Sequence, residues 1–500
     1  MSRAKKLKNN NQVLTMEKRN SNKKIKRSRK IGIILADILL IIALVFLGLL
    51  MMLNVLPLKY LIAVILVLVF FVGYAFLSQL TKRYRMVGKV LAVILSIVLS
   101  FGIYYLIQTG TMFSKISGSD SKIDEMLIVV LEEDPAESIN DAIDYTFGIN
   151  EVIDRDKSEE VIENINKELD TKIDVKTYVG YDELVNSLYN KESGAIVVND
   201  AFKDMIYETH PDFEEKTRVL GNYDVETAIP TPKANDKDIT KEPFNVYISG
   251  MDNAGSIKKT TRSDVNIIAT INPETKQVLL TSTPRDYYIP LTISKGMPDK
   301  LTHAGNYGID VSVGTLEELY DMEIDYHVKV NFTTLIDLVD TLGGISAYSE
   351  YSFKAGGYSF DKGYNDMDGD KALVFSRERK SFGLGDMQRG KNQMEVIKGI
   401  ANKALSPAII TNYGSIMNDI SGSFETNMSN DRMTNLVRMQ IDDMATWNII
   451  SNTTMGKGGP KAKTYSMKGK LSVVYPDQES IDNSKHKINQ VMNGETLVQE

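Results

Sequence analysis

The chain has 500 residues, a net charge of −7 at neutral pH and no cysteine. This length is sufficient for two or three domains, each with a sizeable core. Without thiols the chain forms neither disulfides nor a cysteine-ligated zinc or iron–sulfur centre, so functions that depend on those structures are excluded.

The first 30 residues form a strongly basic tail. They carry twelve Lys and Arg and a single acidic residue, Glu17, whereas the rest of the chain is acidic overall. Such a tail could bind nucleic acid, but this one ends directly at an apolar run. A positive flank next to an apolar run is typical of the cytoplasmic side of a membrane span.

Three long apolar runs follow the tail, at Ile31–Leu53, Leu61–Leu80 and Val87–Ile107. Each has about the 20 residues that a helix needs to cross a membrane, and a cleaved signal peptide is not followed by two more such runs. The segment Thr81–Lys89, which joins the second and third runs, carries four Lys and Arg, and the loop between the first and second runs carries one. We therefore predict three transmembrane helices within residues 31–110, a cytoplasmic tail at 1–30 and an extracytoplasmic location for everything that follows.

Strand-like and helix-like segments alternate between residues 120 and 228. The predicted strands and helices are Met126–Leu131, Ser158–Leu169, Ile173–Val179, Tyr181–Tyr189, Ala195–Val198 and a helix from Ala201. This alternation predicts a small α/β accessory domain with a largely parallel sheet, in which we find no catalytic constellation. Residues 229–242, with Pro230 and Pro232, are predicted to be a linker to a third region at 243–500.

Acidic and basic residues flank the predicted strands of the third region. The strands are Phe244–Ser249, Val265–Ile271 and Gln277–Ser282. Asp252, Arg262, Asp264 and Arg285 lie at their ends, where open α/β sheets place their sites. The two aspartates are candidates for a shared divalent cation, and their hard oxygens suit Mg²⁺, with Mn²⁺ as the alternative. Each aspartate could instead serve a turn or a cap, and each arginine could lie at the surface or pair with a carboxylate.

The stretch 376–393, SRERKSFGLGDMQRGKNQ, carries Arg377, Arg379 and Arg389 around a Gly-Leu-Gly turn. Guanidinium groups bind phosphate oxygens two at a time, so this spacing predicts a diphosphate-binding loop. A solvated basic turn is the alternative.

Asp386 directly precedes a predicted helix, Met387–Leu405, so it is a candidate general base and equally a candidate N-cap. Arg389 and Gln393 are four residues apart and share a face of that helix. Lys300 is a secondary candidate for diphosphate binding, and an exposed turn lysine is the alternative.

Several motifs in the third region together resemble the LytR-CpsA-Psr family. They occur in order over residues 243–405 and are GMD (250–252), RSD (262–264), TPRD (283–286), KLTHAG (300–305), residues 325–332 with LGG (342–344), and SRERK with GDMQRGKNQ (376–393). Any one of them alone is weak, whereas the ordered set is specific. The three amino-terminal helices and the accessory domain are similar to the CpsA branch of the family.

The resemblance implies an α/β/α-layered catalytic domain with an apolar tunnel for a prenyl chain. It implies a magnesium-dependent transferase outside the membrane of Gram-positive bacteria. Such an enzyme moves a glycopolymer, either capsular polysaccharide or teichoic acid, from an undecaprenyl-diphosphate carrier to peptidoglycan and releases undecaprenyl phosphate. Carried over by motif, the metal ligands are Asp252 and Asp264, the diphosphate-binding residues are Arg262, Arg285, Arg377, Arg379 and Arg389, and Asp386 and Gln393 lie near the reacting phosphate and the lipid headgroup. Lys300 matches a motif residue without an assigned role.

Two other functions remain open at this point. A polyprenyl-diphosphate phosphatase or pyrophosphatase would use the same site with water as the acceptor, and a membrane-bound regulator of capsule synthesis would bind the lipid without turnover. The predicted topology and the acidic outer region oppose nucleic-acid binding. His303 and His327 lack a serine elbow or a second base, so a hydrolase triad is not supported, and we predict structural roles for both.

Overall fold

The computed structural model describes residues 2–54, 56–116, 121–228, 237–251, 257, 259–383, 385–406, 424–467 and 469–498. Within these residues, the amino-terminal part is helical, with α1 (Ser2–Leu53), α2 (Leu58–Ser78) and α3 (Arg85–Ile116). Each contains a segment that is long and apolar enough to span a bilayer, at Ile25–Leu53, Leu58–Ser78 and Arg85–Ile107. The prediction of three apolar helices is confirmed.

The accessory region folds around a five-stranded sheet in the order β3-β2-β4-β1-β5. Its elements are β1 (Ser121–Leu131), β2 (Thr146–Asn150), α4 (Arg155–Glu168), β3 (Asp174–Tyr178), α5 (Tyr181–Tyr189), β4 (Ala195–Asn199), α6 (Lys203–Thr209), α7 (Phe213–Lys216) and β5 (Thr217–Ala228), with short 3-10 helices at Ile139–Ala142 and Asp200–Phe202. The helices bury apolar side chains against both faces of the sheet.

The prediction of a largely parallel accessory sheet is wrong. Strand β2 pairs in parallel with β3 and β4, but β1 pairs antiparallel with both β4 and β5. The reason is β5, a long strand that was not predicted and that runs back along the whole of β1. Its glycine, asparagine and aspartate residues interrupt the apolar alternation by which a strand is recognised.

The third region, residues 243–500, is built on a mixed six-stranded sheet in the order β16-β11-β6-β7-β8-β17. Its elements are β6 (Phe244–Gly250), β7 (Val265–Asn272), β8 (Gln277–Ser282), β9 (Tyr288–Pro290), β10 (Pro298–Lys300), α8 (Leu301–Tyr307), α9 (Ile309–Tyr320), β11 (Tyr326–Val330), α10 (Phe332–Thr341), β12 (Ile345–Ser349), β13 (Phe353–Ala355), β14 (Tyr358–Phe360), β15 (Gly363–Met367), α11 (Gly369–Arg377), α12 (Asp386–Ala404), β16 (Glu425–Thr426), α13 (Asn430–Asp443), β17 (Asn448–Thr453), β18 (Gly456–Gly458), β19 (Ala462–Lys463), β20 (Lys470–Leu471), β21 (Val474–Pro476) and α14 (Gln478–Met492).

Helices cover both faces of this sheet. Tyr247, Ile268 and Leu279 point to one face and pack against α9 and α14. Helix α12 packs against the opposite face, where Gly390 lies directly on Ser282 at the end of β8, and a Cβ at Gly390 would lie 2.8 Å from the Ser282 hydroxyl. Glycine therefore allows the first turns of α12 to approach the sheet closely. The fold class is α/β with helices on both sides of a sheet, as predicted.

The strand order explains why polar residues that are distant in sequence meet. Strand β6 pairs antiparallel with β7, and β7 pairs antiparallel with β8. The end of β6, the start of β7 and the end of β8 therefore share one edge of the sheet. Strand β17 runs parallel to β8 and ends at the same edge. The predicted strand bounds in this part agree with the structure to within one residue.

Candidate functional site

One pocket at this sheet edge gathers five of the predicted site residues. Its lining includes Asp264, Arg285, Asp386, Arg389 and Gln393. The first precedes β7, the second follows β8, and the other three lie in the first turns of α12. The close contact between α12 and β8 thus brings the 376–393 stretch to the strand ends.

Arg285 is the central residue of the pocket. Its Nη1 donates to Asp264 Oδ1 at 2.6 Å, and its Nε lies 3.8 Å from an Asp286 oxygen and 4.0 Å from Asp386 Oδ1. The Thr302 hydroxyl donates to the same oxygen of Asp264 at 3.2 Å. Burial lowers the pKa of Arg285, but the surrounding carboxylates, Asp264 first, outweigh it and raise that pKa above its ordinary value. The side chain is therefore a permanent cation, held in place by aspartates.

Asp386 is the first residue of α12 and does not cap it. The N-cap is Gly385, whose φ of 50° and ψ of −111° favour glycine, and no side chain makes the cap hydrogen bond. The capping alternative for Asp386 is thus wrong. Its Oδ1 instead lies 2.5 Å from Arg389 Nη2. Burial raises the pKa of Asp386 above its ordinary value, and Arg389 and Arg285 reduce that increase without cancelling it. A raised pKa suits a carboxylate that accepts a proton.

Two guanidinium donors in the pocket are uncommitted. Arg285 Nε and Arg389 Nε are buried and have no hydrogen-bond partner among the residues that the structure describes. Burial also lowers the pKa of Arg389, which indicates an environment poor in water. Buried donors without partners are costly, so an anion that accepts from both would stabilise the pocket.

Two predicted diphosphate-binding residues are held by the accessory region. Arg262 Nη2 lies 2.9 Å from Asp204, and Lys300 Nζ lies 2.9 Å from Glu208. Asp204 and Glu208 are four residues apart on α6 and share a face of it. Sequence reasoning missed both, because nothing local marks a helix residue as the partner of a cation about 60 to 90 positions further along the chain.

Lys300 is buried rather than exposed, so the alternative of an exposed turn lysine is wrong. Its Nζ also lies 3.7 Å from Asp286, which in turn lies 3.8 Å from Arg285. A chain of alternating charges therefore runs from Glu208 through Lys300 and Asp286 to Arg285. His303 is paired with the residue before Lys300, since its Nδ1 lies 2.6 Å from Asp299 Oδ1 and both side chains are fully buried. The structural role predicted for His303 agrees with this position.

The remaining predicted arginines lie at the surface and do not line the pocket. Arg379 is exposed and lowers the pKa values of both Asp386 and Arg389 electrostatically. Arg377 is exposed at the end of α11, with its guanidinium carbon 4.2 Å from the centre of the Phe332 ring. Asp252 lies outside the described residues, so its predicted place beside Asp264 stays a prediction.

The described residues alone do not form a metal site, because no group of three or more acidic or histidine side chains among them is arranged to hold an ion. Asp264 contributes a carboxylate oxygen to the pocket, and such oxygens are the ligands that Mg²⁺ prefers. Its Oδ1 already accepts from Arg285 and Thr302, which fixes its orientation. Mg²⁺ binding by Asp252 and Asp264 stays a prediction.

The sequence profile of the LytR_cpsA_psr family matches residues 210–490. The chain is 38% identical over 213 residues to the polyisoprenyl-teichoic acid–peptidoglycan teichoic acid transferase TagU of Bacillus subtilis, and this match covers 42% of the chain and 69% of TagU. It is 39% identical over 193 residues to TagU of Bacillus licheniformis, covering 38% of the chain and 62% of that protein. The chain therefore spans roughly two thirds of these relatives' length.

Among solved structures, the crystal structure of B. subtilis TagU is 31% identical, with a TM-score of 0.40 and coverage of 52% of this chain and 100% of TagU. A structure of TagT bound to LI-WTA is 26% identical, with a TM-score of 0.42 and coverage of 52% of this chain and 95% of TagT. The profile match, which includes more than half of the chain, and the identity to TagU decide the classification. The chain belongs to the LytR-CpsA-Psr family.

Proposed function

We propose that the protein transfers a glycopolymer from an undecaprenyl-diphosphate carrier to peptidoglycan and releases undecaprenyl phosphate. The observation that carries the proposal is the pocket in which Asp264, Arg285, Asp386 and Arg389 converge with two uncommitted guanidinium donors. This arrangement suits a diphosphate next to a proton acceptor. The names of the TagU relatives support peptidoglycan as the acceptor and a teichoic acid as the polymer.

In the proposed reaction, a sugar hydroxyl of the acceptor attacks the phosphorus that bears the polymer. Asp386 takes the hydroxyl proton, a new O–P bond forms, and the bond from that phosphorus to the bridging oxygen breaks. The electron pair leaves with undecaprenyl phosphate. Arg285 and Arg389 donate to the phosphate oxygens on which negative charge increases, and Asp264 keeps Arg285 in place for this task.

The pocket's acidic residues also fit a metal-assisted reaction. Mg²⁺ held by Asp252 and Asp264, with Mn²⁺ as a substitute, would supply further positive charge to the diphosphate. Removal of divalent cations with EDTA should then abolish transfer, and added Mg²⁺ should restore it. Retention of full activity in EDTA would contradict the metal requirement. It would not contradict the proposed roles of Arg285 and Arg389.

The three apolar helices support a location for the site. We propose that α1 to α3 cross the cell membrane, with the basic tail in the cytoplasm and the pocket outside the cell. Protease added to intact cells should digest the chain beyond residue 121 and leave the tail intact. Protection of the catalytic region would overturn this topology.

The transfer itself is tested with the full chain in detergent, a prenyl-diphosphate oligosaccharide as donor, and peptidoglycan as acceptor. Arg285→Ala and Asp386→Asn should each reduce kcat/KM by roughly a thousandfold, because each removes charge stabilisation or proton transfer at the reacting phosphate. Arg155→Ala is the matched control. This arginine forms an exposed ion pair with Glu159 on α4 and should leave the rate unchanged.

Two results would overturn the proposed transfer. Polymer attachment that survives Arg285→Ala would exclude this pocket as the reaction site. Release of prenyl phosphate at the same rate with and without peptidoglycan, with no polymer attached, would indicate hydrolysis instead.

A further inference from the structure

A second and much larger cavity lies beside the pocket of Arg285. It is a groove of about 1060 Å³ between α12, the edge strand β17 and α14. Binding sites for small molecules typically measure about 300 to 1,000 Å³, so the groove is large enough for several sugar rings. At one end, Thr453 lines both the groove and the Arg285 pocket. A ligand in the groove could therefore reach the reacting phosphate.

Side-chain amides are unusually common along the groove. They come from three separate elements and belong to Gln388, Asn392, Asn402, Asn452, Asn483 and Gln490. Gln388 is 1% exposed, and its Nε2 donates to Asn392 Oδ1 at 3.2 Å. Within the described part of the chain, Gln388 Oε1 and the Ser451 hydroxyl have no hydrogen-bond partner. Buried polar atoms without partners indicate a polar ligand that would satisfy them.

The charges along the groove are largely neutralised in pairs. Lys391 lies 3.1 Å from Glu350, and Lys398 lies 2.9 Å from Glu395. The groove therefore offers a highly charged ligand little net attraction. Its many polar side chains also make it unsuitable for a prenyl chain, which needs an apolar lining.

Two tyrosines at the groove provide an exposed aromatic surface. Tyr348 and Tyr364 form an edge-to-face pair, with ring centres 5.4 Å apart and an interplanar angle of 71°. Tyr364 is 78% exposed, a large fraction for an aromatic side chain. An exposed aromatic face with amides beside it suits a sugar ring, which presents C–H groups on its faces and hydroxyl or acetamido groups at its edge.

We propose that this groove binds an uncharged glycan strand that carries amide groups. If the transfer described above is correct, this strand is the acceptor, and its hydroxyl enters the Arg285 pocket past Thr453. The oligosaccharide of the lipid-linked donor has similar chemistry, so the experiment distinguishes acceptor glycan from donor glycan. An extended peptide that pairs with the edge strand β17 is a different class of ligand, and its binding in place of a glycan would contradict this proposal.

The test measures binding to the full chain in detergent by calorimetry, with a chito-oligosaccharide as the probe. Tyr364→Ala should weaken binding about five- to tenfold, because one exposed stacking surface is lost. A matched control exists in Tyr475→Ala. Tyr475 forms an equivalent edge-to-face pair with Tyr288, at 5.6 Å and 72°, and it does not line the groove. This control should bind the probe like the unmodified chain. Its melting temperature should be no higher than that of Tyr364→Ala, because the Tyr475 hydroxyl donates to Pro460 O at 3.0 Å.

Transfer kinetics identify the source of the glycan. If the strand is the acceptor, Tyr364→Ala raises the KM for peptidoglycan glycan and leaves the KM for the donor and kcat unchanged. A rise in the donor KM alone would assign the groove to the donor oligosaccharide. Equal probe binding by Tyr364→Ala and the unmodified chain would overturn the groove proposal, as would binding of a stem peptide but not of sugar. Probe binding by a chain that transfers no polymer would contradict the proposed function and leave the groove as a saccharide site.

Discussion

Buried charges form one cluster in the accessory region and another in the catalytic region, and the two clusters differ in how completely they are paired. In the first, Lys157 Nζ lies 2.9 Å from Asp124 and 2.7 Å from Asp154. Asn199 donates to the other oxygen of each aspartate, at 3.3 and 2.8 Å. Both donor groups of this cluster, Lys157 Nζ and Asn199 Nδ2, thus have acceptors within it.

The catalytic cluster is incomplete by the same measure. Arg285 and Arg389 are as deeply set, yet each has an Nε without a hydrogen-bond partner among the described residues. A cluster in which each donor has an acceptor holds strands and helices together, whereas spare buried donors favour a ligand that accepts from them. On the proposed function, similar residue types serve stability in one region and binding in the other.

The largest effect that we expect from this comparison is on stability. Lys157→Met should destabilise the accessory region by about 3 kcal/mol, because it leaves two buried carboxylates without their cation. Transfer at low temperature should persist, since Lys157 lies outside the catalytic cluster. Hydrogen exchange of the β1 and β4 amides measures the loss.

Lys191→Met is the control for this prediction. Lys191 and Glu133 form an ion pair in the same region, but both side chains are mostly exposed, at 69% and 73%. Their pairing is screened by water, so exchange should not change. If Lys157→Met abolished transfer while exchange stayed the same, the division of the two clusters into structural and binding roles would be wrong.

A smaller effect is expected on kcat/KM when a residue of the accessory region that contacts the site is changed. Glu208→Gln removes the carboxylate next to Lys300, which then has Asp286 as its nearest counter-charge and competes with Arg285 for it. We expect kcat/KM to fall about tenfold, the amount that corresponds to one charge-assisted hydrogen bond. The same Glu208→Gln change should reduce kcat/KM less when it is made in a Lys300→Met chain, because the lysine is already absent there.

The control is Asp212→Asn, whose carboxylate pairs with Lys216 at the surface of the accessory region. It should transfer polymer at the normal rate. If the loss in the double variant equalled the sum of the losses in Glu208→Gln and Lys300→Met, the two side chains would act independently. The charge chain from α6 to Arg285 would then have no functional role.

Local patterns in the sequence were sufficient for much of the fold. Helix α12 was predicted as Met387–Leu405 and is observed as Asp386–Ala404, because its apolar spacing is strong over five turns. Asp264 and Arg285 were found because they flank strands whose antiparallel order brings those ends together, and Asp386, Arg389 and Gln393 because they lie in the arginine-rich stretch 376–393.

Contacts between regions could not be predicted in this way. Asp204 and Glu208 are ordinary helix residues, and only the packing of α6 beside α8 and the strand ends gives them Arg262 and Lys300 as partners. The role of Asp386 was left open between capping and catalysis, since the sequence does not specify that Gly385 takes the capping position. Long-range pairing and backbone conformation decide these points.

The smallest effect concerns the pH dependence of transfer. The positive charge of Arg379 favours the ionised form of Asp386 and so lowers its pKa, against the larger increase caused by burial. Arg379→Gln should therefore raise that pKa. A base acts in its deprotonated form, so the acidic limb of the kcat/KM profile should move to higher pH. The displacement should shrink at high salt, because Arg379 is exposed and its field is screened. Lys191→Gln removes the same charge from the accessory region and should leave the limb in place. A limb that stays fixed in Arg379→Gln, or moves to lower pH, would mean that Asp386 is not the group whose ionisation limits transfer.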